Sequence, residues 1–113
     1  ANAGAKTRAV AAEVVDAVAA GGQSLDAAIA RLEARVGPEE RSLLRMLCYG
    51  TLRNYWQLQH WIGQLLDRPL KKRDSVINAL LAVGLFQLLL ERLFALRFTQ
   101  RAYQATQDRR SGT

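Results

Sequence analysis

The chain is poor in the residues that most chemistry needs. It has one cysteine, Cys48, and one histidine, His60, among 113 residues. A lone cysteine excludes a disulfide within the chain, and this usage fits a reducing cytoplasm. A lone histidine beside Trp61, with no second His or Cys at ligand spacing, argues against a metal site. There are only two prolines, Pro38 and Pro69. Alternating runs of Val, Ile, Thr and aromatics are missing, so strands are not expected. Neither a GxxxxGK[ST] loop nor a glycine fingerprint after a strand is present, which leaves no nucleotide motif. The apolar stretch Val10 to Ala20 is broken by Glu13 and Asp16 and does not read as a secretory signal. The run Leu80 to Phe86 is far short of the roughly 20 residues a membrane span needs.

What remains is helix-forming. Half the residues are hydrophobic, and alanine, leucine and arginine, all strong helix formers, dominate. The pattern predicts an all-α bundle of five or six helices in one domain, 1–113. Thr7 is read as the N-cap of a first helix carrying Val10, Val14 and Val18, which Gly21 and Gly22 end. Ser24 caps a second helix, with Asp26 in its first turn and Leu25, Ile29, Leu32 and Val36 inward. Gly37 stops it, and Pro38, Glu39 and Glu40 open a third. That helix turns Leu43, Leu44, Leu47, Cys48 and Thr51 inward. Gly50 in its middle marks either a close approach of another backbone or a bend. Leu58, Trp61, Ile62, Leu65 and Leu66 form the stripe of a fourth helix, which Asp67-Arg68-Pro69 ends. Asp74 or Ser75 caps a fifth, apolar nearly all round and hence read as central and buried. Thr99 to Arg109 reads as a short sixth helix, fraying from Arg109.

The net charge of +6 is unevenly spread. Residues 1–40 are net acidic, residues 41–73 hold seven basic groups against Asp67 alone, and residues 74–113 carry a small basic excess. A basic middle attracts phosphate through counterion release, so nucleic acid is the natural partner class, against a merely arginine-rich soluble domain. The one polar constellation is Arg68, Lys71, Lys72 and Arg73 around a proline turn. It is either a phosphate-binding surface or an exposed loop kept soluble by charge. Arg53, close to Tyr55 and Trp56, is a weaker candidate for a cation-plus-aromatic surface that stacks on unpaired bases. The two tryptophans otherwise read as core anchors. Cys48 lies mid-helix on an apolar stripe, where a thiol is structural and not nucleophilic. No acid–base pair stands out, so no catalytic residue, cofactor or metal is assigned.

The stretch Arg41 to Arg92 resembles a known family. It carries Leu47-Cys48-Tyr49-Gly50-Thr51-Leu52-Arg53, then Arg68-Pro69-Leu70-Lys71, then Gly84-Leu85-Phe86-Gln87-Leu88-Leu89. Arg8-Ala9-Val10-Ala11 and the Gly21 to Leu25 segment add to the likeness. This is similar to the NusB-like N-terminal domain of the bacterial rRNA cytosine-5 methyltransferase family of RsmB (Sun/Fmu), over most of residues 6–92. The resemblance implies a NusB-type fold of two packed helical subbundles. It also implies a non-catalytic, cytoplasmic RNA-binding role in rRNA processing, beside a separate S-adenosylmethionine-dependent domain. The chain would then be a fragment or relative of such an enzyme and no enzyme by itself. Arg8 joins Arg53 among the weaker RNA-contact candidates. The alternatives are a protein-interaction module or a NusB-type transcription antitermination factor.

The likeness fades after Arg92, and residues 93–113 are polar, arginine-rich and atypical. The family's closing helix is not recognisable there. The fifth helix would then expose apolar surface, which a monomer seldom tolerates. Self-association is expected, by exchange of helices between two copies of the chain.

Overall fold

The computed structural model describes residues 3–112. It consists of helices α1 (Ala3–Ala19), α2 (Leu25–Leu32), α3 (Arg41–Arg53), α4 (Tyr55–Leu65) and α5 (Ser75–Arg110). Short 3-10 turns at Glu33–Arg35, Pro38–Glu40 and Lys72–Asp74 link them. No strand occurs among the described residues, so the fold is all-α, as the sequence predicts.

Helix α1 starts earlier than expected and is not capped by Thr7. The Thr7 side chain is buried, and its hydroxyl donates to the Ala3 carbonyl one turn back, 2.9 Å away. A threonine that bonds back in this way sits inside a helix, not at its start. The end of α1 is as read: Gly22 takes φ +71°, and the Gln23 N–H reaches the Ala17 carbonyl at 3.0 Å. That left-handed turn is accessible to glycine at no steric cost. Ser24 caps α2 as predicted, its Oγ accepting from the Ala27 N–H at 3.2 Å. The helix stops at Leu32 rather than Gly37, and the chain passes through a 3-10 turn to bring Val36 into the core.

The central helix is α1, not α5. α1 packs against α2, α3 and α5 together. Its buried face is Thr7, Val10, Ala11, Ala12, Val14 and Val15. Such small side chains let three neighbours approach one axis. With Ile29, Leu32, Leu44, Leu47, Cys48, Ala79 and Val83 the alanines and valines of that face form the main core. A smaller cluster joins Leu58 and Ile62 of α4 to Ala82 of α5. Each large apolar side chain fully withdrawn from water contributes about 1.5–3 kcal/mol. Phe86 packs against both clusters and joins the two subbundles.

Helix α5 departs most from expectation. Only Ala79, Ala82 and Val83 are buried, while Ile77, Leu80, Leu81 and Leu88 are exposed. An all-round apolar pattern requires neighbours on every side; α5 packs against α1, α3 and α4, yet the face carrying Ile77, Leu81 and Leu88 stays uncovered. Nor is there a separate sixth helix, since α5 runs unbroken to Arg110. No glycine or proline interrupts residues 85–110. Thr99 and Thr106 donate to the carbonyls of Ala95 and Ala102 instead of capping a new start. Extended by the preceding turn, Lys72–Arg110 is long and apolar enough to cross a membrane by length and composition, whereas the run Leu80 to Phe86 alone is not. Its N-terminal half is nonetheless built into the core, and Glu91-Arg92 sits at its middle.

Candidate functional site

The basic turn is made by the end of α4 and the start of α5. Leu66 leaves the helix in an extended conformation, its N–H still bonded to the Ile62 carbonyl at 3.0 Å. Pro69 keeps Arg68 out of a helix. Lys71 is extended, and Lys72 to Asp74 tighten into a 3-10 turn that leads into α5. Arg68, Lys71, Lys72 and Arg73 are all exposed. None of the four is in an ion pair among the described residues, where such pairs are Arg35–Glu13 and Arg45–Glu33. Asp67 and Asp74 flank them in the chain without forming an ion pair among the described residues. The first-turn N–H groups of α5 lie beside the four cations and add positive potential.

Next to this turn lies a depression between α4 and α5. Lys71, Lys72 and Asp67 line it together with Gln59, Ile62, Leu66 and Asn78. The Asn78 amide donates to the Gln59 carbonyl oxygen at 3.0 Å and ties the two helices across it. Neither Gln59 nor Asn78 was a candidate from sequence. Single amides carry no pattern until two helices bring them together.

The two weaker candidates lie elsewhere. Arg8, half-buried on α1, edges an apolar groove walled by Ile62, Leu65 and Leu66 of α4 and by α5 from Leu80 to Glu91. Arg53, at the end of α3, borders a separate depression with Met46, Leu52, Phe86 and Leu90. Near it Trp56 is 82% exposed, its ring edge-on to Tyr55 at 5.7 Å between centroids. Trp56 is thus no core anchor, because α4 turns it away from the bundle. Trp61 is half-buried and packs on the smaller cluster.

Cys48 is buried, as read from its stripe. Desolvation pushes its thiol up to about 12, so it stays protonated at neutral pH and is no nucleophile. No group of three or more His, Cys, Asp or Glu side chains that could hold a metal occurs among the described residues. His60 is exposed, its Nε2 3.2 Å from the Gln64 amide. The described residues thus offer an exposed cationic turn and an apolar groove.

A relative from Proteus mirabilis, ribosomal RNA small subunit methyltransferase B, is 40% identical over 86 residues. That match covers 76% of this chain and 20% of the relative. Proteins of the same name from Yersinia pseudotuberculosis and Yersinia pestis match with the same identity and coverage. The chain therefore spans about a fifth of the length of these curated relatives. No solved structure matches it. The family model described as the NusB family matches residues 5–93, which takes in α1 to α4 and the core-packed half of α5. The match covers well over half of the residues, and the chain belongs to the NusB family.

Proposed function

We propose that the chain is a non-catalytic RNA-binding accessory domain of an rRNA methyltransferase and acts in the cytoplasm. The observation that carries this reading is the turn Arg68–Arg73, four exposed cations in no ion pair among the described residues, in a chain whose relatives are named ribosomal RNA small subunit methyltransferase B. Lys71, Lys72, Arg73 and Arg68 would hold the phosphate backbone, with Arg8 and Arg53 as outlying contacts. Methyl transfer would belong to the remainder of a longer protein, and S-adenosylmethionine would bind there.

Fluorescence anisotropy with a labelled 16S rRNA fragment tests the reading. Affinity should drop by a factor on the order of 10³ between about 50 and 200 mM salt if several phosphates are contacted. Changing Lys71, Lys72 and Arg73 together to alanine should weaken binding at least tenfold and lower the salt slope by about three. Unaltered affinity and slope would refute the assignment.

A second reading, a protein-interaction module, is favoured by the apolar groove between α4 and α5. Docking on a protein through that groove would leave the basic turn unperturbed. An NMR titration with the RNA fragment separates the two, since the first reading requires shifts at residues 68–73.

A further inference from the structure

The depression beside the basic turn is built from one face of α4 and the start of α5. Gln59, Ile62, Gly63 and Leu66 recur at the three- and four-residue spacing that shares a helix face, and Asn78 lines it from α5. Its volume is about 390 Å³, within the roughly 300–1,000 Å³ of sites that hold small organic groups. Two features leave this space short of an occupant. A glycine inside a helix is unfavourable relative to alanine and calls for a packing reason. At Gly50 that reason is the Phe86 ring, but a Cβ on Gly63 would meet nothing within 4 Å. The Gln59 Oε1 accepts from the Asn78 amide, while its Nε2 is enclosed and has no acceptor among the described residues. An enclosed N–H without a partner is costly.

The lining sets the chemistry of that occupant. Leu66, Pro69 and Leu70 supply apolar surface, and the Gln59–Asn78 pair supplies amides. Asp67 adds a carboxylate, and Lys71 and Lys72 bring cations to the same space. A flat ring with a polar edge, joined to a phosphate, meets all of these at once. That is one nucleotide of a single strand, because a base within a duplex has its edge paired and its faces stacked. Among the four RNA bases only guanine presents an acceptor followed by two N–H donors on its Watson–Crick edge. The two donors suit a carboxylate, which accepts through both oxygens. The acceptor is what the amide pair lacks.

We propose that this depression is a pocket for one unpaired base of the bound RNA, guanine by preference. The ring lies against Leu66, Pro69 and Leu70 in the room left by Gly63. Its N1–H and N2–H donate to Asp67, its O6 accepts from the Gln59–Asn78 amides, and its phosphate meets Lys71 and Lys72. The inference rests on the RNA binding proposed above and deepens it. The basic turn holds any strand by its backbone, and the pocket reads one base.

Fluorescence anisotropy at low salt compares two labelled single strands of equal length, oligouridylate and the same strand with one central guanosine. The guanosine strand should bind about tenfold tighter, the discrimination of one good bidentate contact. Inosine in that place, which lacks the second donor, should lose most of the margin. Asp67→Asn should abolish the preference without weakening oligouridylate binding. Gly63→Leu fills the pocket without a clash at its Cβ, so it should abolish the preference at an unchanged or raised thermal midpoint. Strands bound alike by the wild type overturn the pocket, as does a guanosine preference that survives both Asp67→Asn and Gly63→Leu. Free guanosine monophosphate competing as well as the guanosine strand overturns it too, because the site would then serve a free nucleotide. Failure to bind either strand refutes the underlying RNA reading and the pocket with it, whereas strands bound alike refute the pocket alone.

Discussion

The Phe86 ring of α5 lies directly over Gly50 of α3. A Cβ placed on Gly50 would overlap the outer edge of the ring. The side chain of another helix, and not its backbone, is what a glycine at this position admits. Phe86 in turn packs against both hydrophobic clusters, so the ring cannot swing away without loosening one of them. Gly50→Ala gains about 1 kcal/mol of helix propensity but forces overpacking that costs about 1–3 kcal/mol. A net loss near 1 kcal/mol is expected in urea denaturation. The same substitution in a Phe86→Leu background should cost less, because the obstacle is gone. Additive losses in the double variant would show that Phe86 is not the cause.

The Cys48 thiol gives stability a pH signature. Its pKa is raised by desolvation from an ordinary value of 9.0 to about 12. The unfolded thiol therefore ionises first as pH rises. The contribution is fully present below about pH 9 and is lost progressively up to about pH 12. Urea midpoints measured from pH 8 to 10.5 should fall more steeply for the wild type than for Cys48→Ala. Alkylation by iodoacetamide at pH 8 should be slow in the native protein and rapid in urea.

Thr51 is fully buried, and its hydroxyl has no hydrogen-bond partner among the described residues. An unsatisfied buried hydroxyl costs about 1–3 kcal/mol. Thr51→Val keeps the shape and removes the polar atom. It should leave thermal stability unchanged or raise it by about 1 kcal/mol, and a clear loss would show that the hydroxyl is satisfied.

The two tryptophans of α4 should part company. Trp56→Ala removes an exposed ring and should change stability by no more than about 0.5 kcal/mol. Trp61→Ala, which opens the smaller cluster, should cost about 2 kcal/mol or more. If Trp56 stacks on unpaired bases beside Arg53, its loss should also weaken binding to a single-stranded rRNA segment by about 1–3 kcal/mol. Anisotropy on folded protein measures this directly.

Ser24→Ala tests the cap that the sequence shows most plainly. Its Oγ accepts from the Ala27 N–H. Loss of such a cap costs about 1 kcal/mol, readable as a lower thermal midpoint.

The features legible in the residues alone were those set by local chemistry. The Ser24 cap, the Gly22 turn, the stop before Pro69 and the stripe from Leu43 to Thr51 each depend on a few neighbouring residues whose preferences agree. The basic turn was legible for the same reason, since Arg68 to Arg73 are adjacent in the chain and exposed by a proline bend. What only the tertiary structure decided is which apolar faces find a partner. Leu80 and Leu88 read as buried because their helix is apolar all round, yet burial is a property of two surfaces and no element covers that side. Val10 and Val14 belong to the central helix because their small side chains let three helices converge on them, a fact of packing geometry. Trp56 faces outward because α4 is rotated by its contact with α5, and no local preference records that rotation.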